Sequence, residues 1–191
     1  MTNSLNFDIK PTGAISKKFL DLNILTFAEA AKFIRQLTYG RNKNKADLTT
    51  LFADNCGTCS TKHAVLKQLA DENNITDLKL ITGLFRMSAG YTPKIATTLK
   101  KYNLDYIPEA HNYLKYHDKI LDFTSNTSAP NDFENELIEE TEITPDQIAE
   151  FKINYHKEYL ISWLEKQKRQ DLTFDELWDI REQCIADLST N

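Results

Sequence analysis

The sequence predicts an α+β fold: a central antiparallel sheet, a cysteine-bearing helix packed against it, and helical additions at both termini. Three observations carry this. Helix-start signatures flank the chain, at Thr26-Phe-Ala-Glu29 near one end and at Thr144-Pro-Asp-Gln147 and Thr173-Phe-Asp-Glu176 near the other. Between them, residues 78–87 (Leu-Lys-Leu-Ile-Thr-Gly-Leu-Phe-Arg-Met) have the apolar, branched and aromatic character of a central strand. Residues 110–116 and 120–124 are two further strand candidates, joined by His117-Asp118-Lys119, a connection short enough for a hairpin and hence for antiparallel pairing.

Taken in order, the Thr26 hydroxyl and the Glu29 carboxylate satisfy each other's free backbone donors, and a helix over residues 27–38 follows. It puts Phe27, Ala30, Ala31, Ile34 and Leu37 on one face and stops near Gly40. Arg41, Lys43 and Lys45 read as a solvated loop. A second helix begins at Thr58 or Cys59 and runs to about Glu72, with Val65, Leu66, Leu69 and Ala70 inward and Asn73-Asn74 as its stop. After the strand at 78–87, Thr92 caps and Pro93 opens a short helix reaching about Tyr102.

In the hairpin, side chains alternate, so His111, Tyr113 and Lys115 share one face, and His111 and Asp122 can face each other. Residues 125–132, rich in Ser, Thr, Asn and Pro, read as a linker, and the acidic run Glu134, Glu136, Glu139, Glu140 and Glu142 reads as its solvated continuation. In the first C-terminal helix Ile148, Phe151, Tyr155, Tyr159 and Trp163 form an aromatic stripe expected to face the core. His117 and His156 are expected at the surface, and Cys184 as a small core hydrophobe.

A length of 191 residues fits one domain, 1–191, able to bury roughly 70% of its unfolded surface. With 41% hydrophobic and 27% charged residues the composition is that of a soluble globular protein. A net charge of -5 without a long basic run argues against nucleic-acid or membrane partners. The chain opens without an apolar stretch of signal-peptide length, and nowhere do 18 apolar residues run together, so a cytoplasmic setting is expected. Three cysteines there stay reduced rather than forming a disulfide framework, which turns attention to thiol chemistry.

Cys59, at a helix start, carries that chemistry. The first-turn N–H groups and the helix dipole favour its thiolate, and can lower a thiol pKa from about 8.5 to between roughly 3.5 and 7.5. A histidine in reach serves as general base and then acid, and a carboxylate orients it. His111 and Asp122 fill those roles. An oxyanion needs two donors, for which the Cys59 backbone N–H and the Asn55 side-chain amide are candidates. Cys56, His63 and Tyr113 are secondary members of the site. Two other readings use the same residues: Cys56 and Cys59 as a C-x-x-C redox pair, and Cys56, Cys59, His63 and His111 around zinc. The preferred assignment takes no metal and no cofactor.

Gly57-Thr-Cys59 with Ala64, Leu66 and Leu69 behind it, the strand Leu80-Ile-Thr-Gly-Leu-Phe85, His111-Asn-Tyr113 and Asp122-Phe-Thr124 resemble, in order and element type, the catalytic core of the transglutaminase-like superfamily. The resemblance covers about residues 54–124, with a helical extension over about 143–189. Tyr113 stands where the family usually has tryptophan, and Phe123 where it has proline after the aspartate. The resemblance implies a papain-like core and a Cys59-His111-Asp122 triad performing acyl transfer or hydrolysis at an amide or peptide bond through a thioester. A peptide, a protein or a small amide is the implied substrate. Some members only bind, so a non-catalytic binding or scaffolding domain is the alternative.

Overall fold

The computed structural model describes residues 5–189; the first four and last two residues, included in the single-domain expectation, lie outside them. Helix and strand are mixed, and four strands form one antiparallel sheet, as expected for an α+β fold. In chain order the elements are α1 (Ala14–Asp21), α2 (Phe27–Gln36), β1 (Thr38–Tyr39), α3 (Thr50–Asp54), β2 (Cys56–Gly57), α4 (Cys59–Glu72) and β3 (Leu78–Ser88). They continue with α5 (Ala96–Lys101), β4 (Tyr106–Tyr116), β5 (Lys119–Leu121), β6 (Leu137–Ile143), α6 (Glu150–Gln167) and α7 (Phe174–Ser189). The sheet order is β5-β4-β3-β6, and β1 and β2 form a separate two-residue parallel pair. Among the described residues no helix is long and apolar enough to cross a membrane.

The chain divides into two compact units. The first takes in Met1–Thr82, His111–Pro130 and Thr141–Glu150, and its core is built from Phe19, Phe27, Ile34, Leu51, Leu66, Leu69 and Leu80 among others. Helix α2 starts where its capping box places it, with Thr26 Oγ1 accepting from the Glu29 N–H and the Glu29 carboxylate accepting from the Thr26 N–H. Helix α1 carries no local cap. Its first-turn N–H groups at Ile15 and Ser16 instead donate to the Glu72 carboxylate, at 3.1 and 2.7 Å, from the far end of α4. Gly13 makes room, since a Cβ there would come within 2.0 Å of Glu72 Cδ. The pattern of residues 13–21 alone does not announce this helix because its cap is tertiary.

The second unit comprises Gly83–Ala110, Asn131–Glu140 and Phe151–Asn191, around Met87, Ile95, Leu99, Ile107, Leu160, Trp163 and Leu177. The expected aromatic stripe is buried only in part: Ile148 and Trp163 are buried and Tyr159 packs partly against the core. Phe151 is 40% exposed, and the buried face of α6 is His156, Leu160, Trp163 and Leu164. The phase is lost at Ala149, where φ −88 and ψ −99 separate the Pro145–Ile148 3-10 turn from α6. His156 is correspondingly buried rather than at the surface, its Nε2–H donating to the Pro108 carbonyl at 2.9 Å. Arg181 of α7 clamps the buried Glu109 carboxylate, with Nε to Oε2 at 2.7 Å. The thiol of Cys184 is fully buried, and burial pushes it up to about 11, so it is chemically inert.

The acidic run is not a linker throughout: Glu134 and Glu136 lie in a 3-10 turn, while Glu139, Glu140 and Glu142 lie in β6, which occupies the sheet's edge. Glutamates at 139, 140 and 142 face solvent along it, and charge on an edge opposes pairing with another chain.

Candidate active site

The site lies within the first unit and is assembled around the start of α4. Helix α3 ends at Asn55 in the left-handed conformation (φ 51), and the chain then runs through β2, whose Cys56 and Gly57 pair with Thr38 and Tyr39. Asn42 holds the entry, its Nδ2 donating to the Cys56 carbonyl at 2.9 Å. Thr58 caps α4, its N–H donating to Thr61 Oγ1 at 3.0 Å, so Cys59 is the first helical residue. Gly57 is required here: a Cβ would meet Thr61 Oγ1 at 2.9 Å and the side chains of Leu51 and Lys62 at 3.0 Å.

Helix α4 is buried on every side over its first two turns, including Ser60, Thr61, Lys62 and His63. Burial of polar groups costs free energy unless they are bonded, and Ser60, Lys62 and His63 each have a named partner. Ser60 Oγ donates to Asn112 Oδ1 at 2.8 Å, while Asn112 Nδ2 donates to the Ile81 carbonyl and Thr82 Oγ1. Lys62 Nζ donates to the carbonyls of Leu37 and Thr124 at 2.5 and 2.7 Å. Burial pulls the Lys62 ammonium down to about 8, against the opposing charges of Cys56, Asp122 and Cys59.

His63 has a tautomer dictated by its partners. Nδ1 lies 2.7 Å from the Cys59 carbonyl, which only accepts, so Nδ1 carries the proton; Nε2 accepts the Phe123 N–H at 2.7 Å, so it carries none. The ring is neutral, in keeping with burial that lowers its pKa to about 4. Its 3.5 Å approach to Asp122 Oδ1 is therefore not an ion pair. Proline at position 123 would lack the donor that His63 accepts from.

Strand β5 stops at Leu121, so Asp122 lies beyond the hairpin register (Leu114↔Leu121, Lys115↔Ile120) rather than within a strand to residue 124. The reason is visible in the bonds: the Phe123 N–H goes to His63, the Thr124 N–H to Asp122 Oδ1 at 2.8 Å, and the Thr124 carbonyl to Lys62. Thus suspended, Asp122 presents Oδ2 to His111 Nε2 at 3.0 Å. The His111 side chain also interacts with Cys59. Burial presses the His111 imidazolium down, but the Cys59 thiolate charge and the bonds to Asp122 and Cys59 outweigh it and carry the pKa up to about 10. Asp122, despite burial, is held well below the usual carboxylate range, first by His111. Tyr113 is fully buried and stacks on His111 with ring centres 6.0 Å apart.

Cys59, His111 and Asp122 thus come together in one hydrogen-bonded line. Asn55 is exposed at its turn, and Cys56, half-buried, has its thiol 4.0 Å from the Arg41 carbonyl. All three cysteines are free thiols. Among the described residues no three His, Cys, Asp or Glu side chains form a cluster able to hold a metal ion, and both ring nitrogens of His63 are engaged. Reading the sequence missed Lys62, Ser60 and Asn112. Lys62 precedes the inward set by less than a turn and Ser60 by less than two, and a polar residue inside a strand-like run is the signal that marks Asn112.

No protein-family model, no curated protein and no solved structure matches this chain.

Proposed function

We propose that the chain is a transglutaminase-like thiol enzyme that cleaves or exchanges an amide or peptide bond of a peptide, a protein or a small amide. The observation that supports it is the His111–Asp122 bond, Nε2 to Oδ2 at 3.0 Å, on a His111 that also interacts with Cys59 at the start of α4. The nucleophile helix α4 against the sheet, tied through Ser60 and Asn112, belongs to the same reading. The Cys59 thiolate attacks the amide carbon, and the oxyanion meets the N-terminal N–H groups of α4, with the Asn55 amide as second donor. The His111 imidazolium gives its Nδ1 proton to the departing amine as the C–N bond breaks, leaving a thioester. Water or a second amine, giving its proton back to His111, then attacks the thioester and releases the thiolate. A cytoplasmic setting keeps the thiol reduced.

The test is the pH dependence of Cys59 alkylation by iodoacetamide, in a Cys56→Ser background, with and without His111→Ala. With His111 charged up to about pH 10, the parent thiol reacts at a rate that barely changes between pH 6 and 9. The variant falls to an ordinary thiol whose rate climbs through about pH 8.5. Identical profiles refute the activation.

Cys59 is only 7% exposed, which favours the alternative of a non-catalytic binding domain on the same fold. Incubation with a glutamine-containing peptide and a fluorescent amine separates the two: product or a thioester adduct on Cys59 supports turnover, while an activated thiol without either supports binding alone.

A further inference from the structure

A second feature of the first unit stands apart from the thiol line and does not depend on it. Ala28, Ala31, Lys32 and Arg35 recur at helical spacing along one face of α2, and Lys119, Leu121 and Phe123 recur at alternate positions from β5 onward. The two rows line a groove of about 570 Å³, within the range of roughly 300–1,000 Å³ typical of small-molecule sites. Its walls are mostly carbon, from Phe27, Ala31, Tyr116, Leu121 and Phe123, with Gln36 and Asn126 as the neutral amides in the lining.

The charge of its lining is one-sided. The chain has 28 acidic and 23 basic residues, yet Lys32, Arg35 and Lys119 line the groove and no Asp or Glu does. Arg35 is occupied, its guanidinium donating to the carbonyls of Ser125, Asn126 and Ser128. The Lys32 and Lys119 side chains are exposed and make no ion pair among the described residues. A mostly apolar wall, whose neutral amides are those of Gln36 and Asn126, matches few of a peptide backbone's N–H and C=O groups, whereas an alkyl chain carries no such groups to satisfy.

We propose that this groove binds a single medium-chain carboxylate, its alkyl chain along α2 and β5 and its anionic head between Lys32 and Lys119. Calorimetric titration with octanoate, decanoate and dodecanoate below their micelle concentrations tests it. The expected result is one molecule per chain, affinity rising about tenfold for every two methylenes added, and dodecyltrimethylammonium binding at least about tenfold more weakly than dodecanoate. Lys32→Glu with Lys119→Glu removes the preference for the anion, and Ala28→Trp, on an exposed helix position, blocks the groove. Because the lysines are solvent-facing, the charge reversal decides the question even if the tryptophan perturbs α2. The proposal is overturned by unsaturable binding, by equal affinity for both head groups, or by binding to anionic vesicles in place of monomeric dodecanoate. It is equally overturned by a dimer that Ala28→Trp dissociates, since a second copy would then be the occupant.

Discussion

His63 and His111 are two imidazoles with ring centres 6.2 Å apart, driven in opposite directions by what surrounds them. His63 faces a carbonyl and an amide N–H, partners that suit only the neutral ring, and burial lowers it to about 4. His111 faces a carboxylate and a thiolate and is raised to about 10. The consequences for stability have opposite sign. Below about pH 6.5 the unfolded chain protonates His63 while the folded chain refuses until about pH 4, so stability is lost as pH falls through that window. The His111 contribution is complete below about pH 6.5 and is lost as pH rises toward 10. His63→Gln offers an amide donor and acceptor without titrating. In urea unfolding series at pH 7 and pH 4, its stability relative to the parent should improve by about 3 kcal/mol at the lower pH. A pH-independent difference would show that His63 is not the neutral group its bonds require.

Helix α4 is the element on which the site depends, and it is unusual in burying polar side chains on all sides. Lys62 and His63, adjacent in α4, reach out to hold residues 122–124, a segment beyond the strand ladder whose backbone bonds to side chains: the Thr124 carbonyl to Lys62, the Phe123 N–H to His63 and the Thr124 N–H to Asp122. The turn into α4 is equally constrained. Gly57→Ala places a methyl against Thr61, Leu51 and Lys62, so the helix start or the Lys62 stem must shift. Overpacking of this kind costs about 1–3 kcal/mol. The expected outcome is a stability loss in that range, read by urea unfolding, accompanied by slower alkylation of Cys59. A gain in stability would mean that the entry is looser than its contacts indicate.

At the scale of the whole molecule, two hydrophobic cores are served by one chain, and the second unit also holds a buried charge pair, Arg181 with Glu109. Arg181→Met leaves the Glu109 carboxylate buried without its guanidinium and should cost about 3–5 kcal/mol. Adding Glu109→Gln should recover most of it, because the penalty comes from the stranded charge rather than from the lost bond. Urea denaturation of the two variants checks this, and a double variant no better than the single one would refute it.

Much of the local structure is legible in the residues. The Thr26/Glu29 box marks the start of α2, and the Thr144/Gln147 and Thr173/Glu176 boxes mark the 3-10 turn ahead of α6 and the start of α7, because a cap is satisfied by side chains three positions away. Residues 78–87 read as a strand from their composition, and β3 spans Leu78–Ser88. Order and residue type single out Cys59, His111 and Asp122 as a set worth testing. Other features depend on segments far apart in the chain. Helix α1 needs Glu72, 57 positions away; the His63 tautomer needs Phe123, 60 positions away; the Asp122 turn needs Lys62. The burial of His156 follows a break at Ala149 that no periodicity reveals, and Glu139, Glu140 and Glu142 lie in a strand paired along the edge of β3. The sequence by itself therefore determined the α+β class, the starts of α2, α4 and α7 and the candidate thiol, all products of short-range bonds and side-chain periodicity. Only the tertiary structure decided which buried polar groups are satisfied and by whom, because a hydrogen bond depends on where two atoms meet in space, whatever the length of chain between them.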